Sequence, residues 1–297
     1  MKPAPFDYQA PGTLNEAIDL LASNPDAFVI AGGQSLMPLL AFRLATPNLL
    51  VDLRRLRGLG NIDIGDDGLR LGALVRWRDI EEIQRLATAH PLLHAAVAHV
   101  AHYQIRNRGT VGGSLAHADP AAELPGVAVT CGGEITLSGP AGSRTVRAGD
   151  FFTGALSTLR QPDEIITELH LPKWPTRRHW AFRKYARRQG DFALAGILLF
   201  YDEDRQGALS NAHVGVIGAC ARPHRLTGVE TLLNGHPLDD GLIRQARQRP
   251  QKRLTRRTIC TPTPPTVAVS WRRSSSAACG LRLTRGMRDA GRFPDQW

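Results

Sequence analysis

Two glycine pairs, set in similar polar surroundings, constrain the fold of this chain more than any other feature of its sequence. Residues 30–35 read IAGGQS and follow an apolar run, which predicts a buried strand ending in a glycine turn before a helix. Residues 110–114 read TVGGS and form a second turn of the same character. Glycine lets backbone N–H groups approach an anion with no side chain in the way, so each turn is suited to a phosphate.

Each glycine turn, taken alone, is also explained as an ordinary tight connection. Neither turn has the G-x-G-x-x-G spacing, and the first is not followed by the G-K-[ST] of a P-loop. Two such turns together suit a pyrophosphate held from both sides. Arg106, Arg108, Asp119 and Glu123 lie near the second turn and are able to orient a large polar ligand. The residues alone leave open both a pair of structural turns and a dinucleotide site.

Hydrophobic periodicity predicts an α+β chain. Thr13 followed by Glu16 has the pattern of a capping box and predicts a helix there. Strand-like runs on both sides of the first glycine turn predict a small βαβ unit. Residues 103–126 show little periodicity and are interpreted as a long functional loop. Further elements are predicted as strands at residues 69–75, 134–138, 144–147 and 164–171, and as helices at residues 77–86 and 91–101.

Prolines at positions 172 and 175 predict a domain boundary near residue 175. The segments beyond it indicate a smaller α+β domain, with strands at residues 181–187, 192–201 and 211–218 and a helix from about residue 228 to 233. The expected organisation is a first domain over residues 1–174, a second over residues 175–246 and a basic tail over residues 247–297.

Two alternative chemistries receive less support from the residues. Residues 112–116 read GGSLA and nearly match the G-x-S-x-G turn of hydrolases, but Ala116 replaces the last glycine and no strand leads into the serine. His94, His99 and His102 lie in one helical stretch that contains no carboxylate, which favours core or surface histidines over a metal site. His117 lies within the second glycine loop, where it is expected either to touch a ligand or to make a structural hydrogen bond.

Composition restricts the setting of the chain. With 42% hydrophobic and 22% charged residues, the sequence is that of a globular protein. It contains no apolar run of membrane-spanning length and no signal-peptide pattern at its start, so we expect a cytoplasmic protein without a membrane span. The four cysteines contain no C-x-x-C pair, which argues against an iron–sulfur cluster or structural zinc held by this chain.

The net charge of +10 comes from the C-terminal end. Residues 241–297 hold 13 Lys and Arg against 2 Asp and Glu, whereas residues 1–240 hold 24 against 25. The tail is interpreted as a disordered basic extension or as an arm for nucleic acid or a membrane surface. The body is nearly neutral, so its charge indicates no polyanionic partner.

Three segments together resemble the FAD-binding medium subunit of the molybdenum hydroxylases, a family that includes aerobic carbon monoxide dehydrogenase, nicotine dehydrogenase and xanthine dehydrogenase. They read AGGQSLMPLLAFRLATPNLLVDL from residue 31, QIRNRGTVGGSLAHADPAAELP from residue 104 and FRKYARRQGDFALAG from residue 182. The resemblance covers roughly residues 1–246. It implies a two-part FAD-binding domain of the molybdopterin dehydrogenase (PCMH) type, followed by a smaller α+β C-terminal domain.

The resemblance also implies which residues bind FAD. The backbone of the first turn would contact the diphosphate, with the second turn as another contact. Glu123 stands at an acidic position near the ribityl chain, Ile166 at an apolar position beside the isoalloxazine and Arg183 at a cationic position near it. Close relatives often carry His at Gln34 and Asn at Ser114, and both replacements keep a polar side chain. The predicted cofactor-binding residues are Val29, Ile30, Ala31, Gly32, Gly33, Gln34, Ser35, Leu36, Thr110, Val111, Gly112, Gly113, Ser114, His117, Glu123, Ile166 and Arg183.

The function that the resemblance implies is electron transfer. A large partner subunit would hydroxylate substrate at a molybdopterin centre, and a small partner would relay electrons through two 2Fe–2S clusters to the FAD of this chain, which passes them to an external acceptor. The family implies a dimer of such heterotrimers, with no nucleic-acid partner. No catalytic or metal-ligating residue is assigned to this chain, because the cofactor supplies the redox chemistry.

The match ends at about Ala246, and we favour a shifted reading frame as its cause. Codons for residues 258–280, read one base earlier, can encode NDLHADAAYRRGLVAAVLVRRVR, which resembles the usual C-terminal segment of the family. Two other functions are kept as alternatives. One is a stand-alone FAD-dependent oxidase with the same cofactor fold, which would need its own base over the flavin. The other is a nucleic-acid-binding module that acts through the tail.

Overall fold

The computed structural model describes residues 2–248, 267–272 and 280–285. Its helices are α1 (Leu14–Ser23), α2 (Leu36–Ala41), α3 (Trp77–Glu82), α4 (Gln84–Ala89), α5 (Pro91–Val97), α6 (Tyr103–Arg106), α7 (Val111–His117), α8 (Glu123–Thr130), α9 (Ala148–Phe151), α10 (Thr227–Leu233) and α11 (Asp240–Gln248). Its strands are β1 (Asp7–Gln9), β2 (Ala27–Ile30), β3 (Leu49–Asp52), β4 (Ile62–Ile64), β5 (Gly68–Gly72), β6 (Glu134–Gly139), β7 (Gly142–Arg147), β8 (Phe152–Gly154), β9 (Ser157–Thr158), β10 (Ile165–Pro172), β11 (His179–Tyr185), β12 (Ala195–Glu203), β13 (Leu209–Ile217), β14 (His224–Arg225), β15 (Val267–Arg272) and β16 (Gly280–Arg285). The α+β class agrees with the prediction. Over the described ranges, no helix has the length and apolar character needed to cross a membrane.

The N-terminal part is a small βαβ unit, as the sequence predicts. β1 and β2 both pair with β3 in parallel, in the order β1-β3-β2. Helix α1 begins at a complete capping box, in which the Glu16 N–H donates to Thr13 Oγ1 at 3.2 Å and the Thr13 N–H donates to Glu16 Oε2 at 3.3 Å. Its apolar face, including Ile18 and Leu21, packs on the strands in a core of its own.

The middle of the chain is an antiparallel sheet covered by helices. The strand order is β4-β5-β10-β6-β7, and every neighbouring pair is antiparallel. Apolar side chains of β5, β6 and β10 pack against α5, α7 and α8 in the largest core of the described chain. Every residue of α8 is buried, so this helix lies between layers rather than on the surface.

The C-terminal part is a second antiparallel sheet, in the order β11-β12-β13-β14. Strand β12 is covered on both faces, since Leu198 and Phe200 join the core around α8, whereas Leu199 and Tyr201 join the core beneath α10. Burial on both faces explains why this strand reads as a continuous apolar run rather than an alternating one. The main core therefore contains side chains of both antiparallel sheets.

The structure corrects the prediction for residues 103–126. These residues form α6, α7 and the start of α8, not an irregular loop. Helix α7 forms in spite of two adjacent glycines because its packing requires them. A Cβ on Gly112 would lie 2.6 Å from the Cβ of Ala73, and the Gly112 N–H donates to the Ala73 carbonyl at 2.8 Å. Tertiary contact thus overrides the low helix propensity of glycine.

The tail after α11 is described only in part. β15 and β16 pair as an antiparallel hairpin, with Val267 opposite Arg285 and Arg272 opposite Gly280. The hypothesis of a shifted reading frame concerns residues 247–297, most of which lie outside the described residues.

Candidate cofactor site

A cavity of about 1020 Å³ lies where the βαβ unit, the helical layer and the second sheet meet. Its walls include the first glycine turn, α7 with the turn before it, the start of α8, the segment before β10, and the connection from β11 to β12. Stretches of sequence that are distant along the chain therefore build a single site. A cavity of this size, with mostly apolar walls and a few convergent polar groups, is typical of a site for a large cofactor.

The first glycine turn supplies unused hydrogen-bond donors. Among the described residues, the backbone N–H groups of residues 32–36 donate no hydrogen bond, whereas the next one, of Met37, donates to the Gly33 carbonyl at 3.0 Å. Gly33 adopts a φ of 74°, which glycine tolerates and other residues resist. A run of free N–H groups around a left-handed glycine forms a concave cradle suited to an anion such as a diphosphate.

The second glycine turn differs from the first, and from what the sequence suggested. The Val111 N–H donates to the Val75 carbonyl at 2.9 Å, and the Gly113 N–H donates to Thr110 Oγ1 at 3.2 Å. The N–H of Ser114 donates to the Thr110 carbonyl at 3.0 Å. Because these donors are already used, the second turn shapes the cavity wall and does not offer a second cradle.

The two turns touch directly. A Cβ on Gly32 would overlap the carbonyl oxygen of Arg108, just before the second turn. Gly32 is therefore required for the approach of two backbones, while Gly33 is required for the curvature of the turn. The pairing of the two glycine turns, which the sequence could only suggest, is a real spatial contact.

Most of the predicted cofactor residues line this cavity. Those that do are Val29, Ala31, Gly32, Gly33, Gln34, Ser35, Leu36, Thr110, Gly112, Gly113, Ser114, His117, Glu123 and Ile166. Ile30 is not among the residues that line it. Val111 does not line it either, since its side chain is fully buried in the main core.

The prediction for the cationic position named Arg183, whereas the structure brings the adjacent residue, Lys184, to the cavity. Arg183 is exposed and lies outside the cavity lining, whereas its neighbour Lys184 is part of it. Successive residues of β11 point to opposite faces of the sheet, so only one of the two can reach the cavity. A loose alignment cannot distinguish adjacent basic residues, but the alternation of a strand can.

Lys184 and Glu123 form a buried ion pair in the cavity wall. Their Nζ and Oε1 atoms are 2.6 Å apart, and Lys184 Nζ also donates to the His99 carbonyl at 3.0 Å. Burial raises the pKa of the Glu123 carboxyl, and the charge of Lys184 opposes that rise. These atoms therefore form a charged pair at the cavity wall.

Two further residues that line the cavity were not predicted from the sequence. Phe192 is 68% exposed although it is a large aromatic, and it lies on the connection from β11 to β12 that closes one wall. Arg160 lies on the segment before β10 and also lines the cavity. The local sequence does indicate a role for Phe192, because an aromatic residue beside Gly190 and Asp191 in a loop is more often functional than structural.

Comparison with known proteins identifies the family of this chain. Residues 4–174 match the family model described as the FAD binding domain in molybdopterin dehydrogenase. The nicotine 6-hydroxylase medium subunit of Paenarthrobacter nicotinovorans is 36% identical over 86% of this chain and 89% of its own. Among solved structures, quinoline 2-oxidoreductase from Pseudomonas putida 86 superposes with a TM-score of 0.79 at 39% identity, covering 84% of this chain and 86% of that chain. Carbon monoxide dehydrogenase from Hydrogenophaga pseudoflava superposes with a TM-score of 0.81 at 32% identity, covering 83% and 86%.

These findings show that the chain belongs to the family of FAD-binding domains in molybdopterin dehydrogenases. It is an oxidoreductase subunit that binds FAD and carries electrons through it as part of a molybdenum hydroxylase. The resemblance inferred from the three sequence segments is thus confirmed.

The residues present fit the cofactor. The free N–H groups of the first turn suit a diphosphate, and apolar side chains such as Leu39, Leu124 and Ile166 suit a flat ring system. When bound, FAD supplies the redox chemistry by accepting and releasing electrons. The chain itself binds and orients the cofactor and limits its contact with water. Among the residues that the structure describes, no group of three or more His, Cys, Asp or Glu side chains is placed to hold a metal ion.

Proposed function

We propose that the first glycine turn holds the diphosphate of FAD and that Ile166 lies beside the isoalloxazine. The observation that carries this proposal is the run of unused N–H groups from residue 32 to residue 36 at the edge of the cavity. Glu123 and its partner Lys184 are the polar groups available to the ribityl chain between these two ends. His117, which also lines the cavity, is a further contact.

We propose that the chain works in a complex with a large molybdopterin subunit and a small 2Fe–2S subunit. Electrons would pass from the 2Fe–2S clusters through the FAD of this chain to an external acceptor. The proposal is supported by the relatives, which carry the name medium subunit or medium chain in nicotine 6-hydroxylase and carbon monoxide dehydrogenase. We further propose a dimer of heterotrimers in the cytoplasm.

We also propose that residues 1–174 form the FAD-binding domain and residues 175–246 the C-terminal domain. We propose further that residues 247–297 are the product of a shifted reading frame. Resequencing the gene tests this origin. A one-base difference near codon 258 supports it, and an intact frame contradicts it.

Purification of the tagged chain from its native host tests the assembly. We expect it to elute with a larger chain that contains molybdenum and a smaller chain that contains iron, both identified by mass spectrometry and metal analysis. A chain that elutes alone and reduces its own flavin with a small substrate would instead support the stand-alone oxidase. DNA binding that disappears on deletion of residues 247–297, in a chain without flavin, would support the nucleic-acid-binding alternative.

A further inference from the structure

Arg160 carries an unusual arrangement of hydrogen bonds for a cation in a cofactor cavity. Its Nη1 atom donates to three backbone carbonyls, those of Gln161, Pro162 and Glu164, at 2.7, 3.1 and 2.8 Å. Within the described part of the chain, its Nε and Nη2 atoms donate to no protein acceptor and the guanidinium forms no ion pair. Three carbonyls therefore fix the position of the charge without neutralising it.

The carboxylate of Glu164, close to Arg160 in the chain, is already engaged elsewhere. Both oxygens of Glu164 accept hydrogen bonds from Arg144, at 2.6 and 2.8 Å, and the Gln161 N–H donates to one of them at 2.8 Å. Burial lowers the pKa of the Arg160 guanidinium, and the carboxylates of Glu164 and Asp163 oppose this change. A guanidinium nevertheless stays charged at neutral pH.

The other strong cations of the cavity differ from Arg160. Lys184 is neutralised by Glu123 at 2.6 Å. Arg187 is exposed on the connection from β11 to β12, where water and salt screen its charge. Arg160 is partly buried and lies on the segment that leads into Ile165 and Ile166, which also line the cavity.

We propose that Arg160 fixes a positive charge beside the isoalloxazine and thereby raises the reduction potential of the bound FAD. Reduction adds negative charge to a flavin ring, and a cation held nearby in a site of low dielectric stabilises that charge. The inference rests on the proposed position of the isoalloxazine beside Ile166. Charge near the ring is one of the main means by which a protein tunes a flavin.

The test is a redox titration of the purified full-length chain with saturating FAD, reduced stepwise with dithionite against a reference dye. In Arg160→Gln we expect the equilibrium constant for two-electron reduction to fall at least tenfold, which corresponds to about 30 mV toward more negative potential. Arg160→Lys keeps the charge and should stay within about threefold of the parent. Arg147→Gln removes an exposed cation outside the cavity and serves as the matched control.

Two results would overturn the inference. One is an unchanged potential in Arg160→Gln. The other is an equal shift in Arg160→Gln and Arg160→Lys, because loss of the carbonyl contacts rather than of charge would then be the cause. Arg160→Met, which keeps a long side chain, replaces Arg160→Gln if that variant does not fold. Failure of the parent chain to take up FAD would contradict the proposed cofactor site itself and is seen before any variant is titrated.

Discussion

The Nζ atom of Lys184 lies 2.6 Å from Oε1 of Glu123, and only 4% and 7% of these two side chains are exposed. Lys184 belongs to β11 of the C-terminal sheet, and Glu123 is the first residue of α8 in the helical layer. The ion pair therefore joins the C-terminal sheet to the helical layer at the wall of the FAD cavity. A buried pair of this kind depends on both partners, because a single remaining charge has no water to stabilise it.

Replacing Lys184 by Met should leave Glu123 buried without its counter-charge. We expect the free energy of unfolding to fall by about 3–5 kcal/mol, as measured by urea denaturation. Arg183→Met is the matched control, since it removes the adjacent cation from the exposed face and should cost no more than about 0.5 kcal/mol. Equal losses in the two variants would contradict the assignment of Lys184 to the buried pair.

Replacing Gly32 by Ala should separate the two glycine turns. The added Cβ would overlap the Arg108 carbonyl, so one backbone must move and the cradle of free N–H groups is distorted. We expect the purified variant to retain less than about a tenth of the FAD of the parent, a loss of at least 1.4 kcal/mol in binding. Gly60→Ala, where a Cβ meets no neighbouring atom, should retain all of it. Normal FAD content in Gly32→Ala would show that the contact between the turns is not needed.

Replacing Phe192 by Ala should weaken FAD binding with little effect on folding. The ring is mostly exposed and lines the cavity, so its loss removes a surface for stacking but little core. An aromatic stacking contact contributes about 0.5–1.5 kcal/mol, so we expect the Kd for FAD to rise by about 2- to 10-fold in a fluorescence titration. Phe42→Ala, an exposed phenylalanine outside the cavity, should not change the Kd. An equal rise of the Kd in Phe192→Ala and Phe42→Ala would show that general destabilisation, and not a lost contact with FAD, weakens binding.

His90 should make the fold sensitive to acid. Burial lowers its pKa from 6.5 to about 3, so the native state stays unprotonated while the unfolded state binds a proton below pH 6.5. Acid therefore favours unfolding, and between pH 7.5 and pH 5 this residue should remove about 2 kcal/mol from the free energy of unfolding. The free energy of unfolding begins to fall as pH drops through 6.5, and the contribution of His90 to this fall ends near pH 3.

His90→Asn provides the comparison for this prediction. His90 Nδ1 accepts a hydrogen bond from the Leu93 N–H at 3.2 Å and so caps α5, and asparagine can cap a helix without titrating. The variant should be less stable than the parent at pH 7.5 because it leaves a cavity beside Trp174. Its free energy of unfolding should nevertheless change less between pH 7.5 and pH 5 than that of the parent, as measured by urea denaturation at both pH values. An equal change in the variant and the parent would contradict the role given to His90.

Local sequence signals predicted most of the fold. The capping box at Thr13 and Glu16 marked α1 correctly, and the apolar runs around the first glycine turn marked the parallel strands β2 and β3. The signals failed where structure depends on distant contacts. Helix α7 contains two glycines and forms because Gly112 packs on Ala73, which lies about forty residues earlier in the chain.

The site was predicted less completely than the fold. Both glycine turns were found, but their different roles depend on whether each N–H group already has a partner, and Thr110, Val75 and Ala73 supply those partners only in the folded chain. Similarly, the choice between Arg183 and Lys184 depends on the phase of β11 relative to the cavity. Arg160 has no sequence signal at all, because its three acceptors are backbone carbonyls that any residue carries.

The most direct test of FAD binding by this chain is a visible absorption spectrum of the purified protein before and after acid release of its cofactor. We expect flavin bands at close to one equivalent per chain, with FAD rather than FMN in the released fraction. A soluble, folded chain that is colourless and takes up no added FAD would contradict the account.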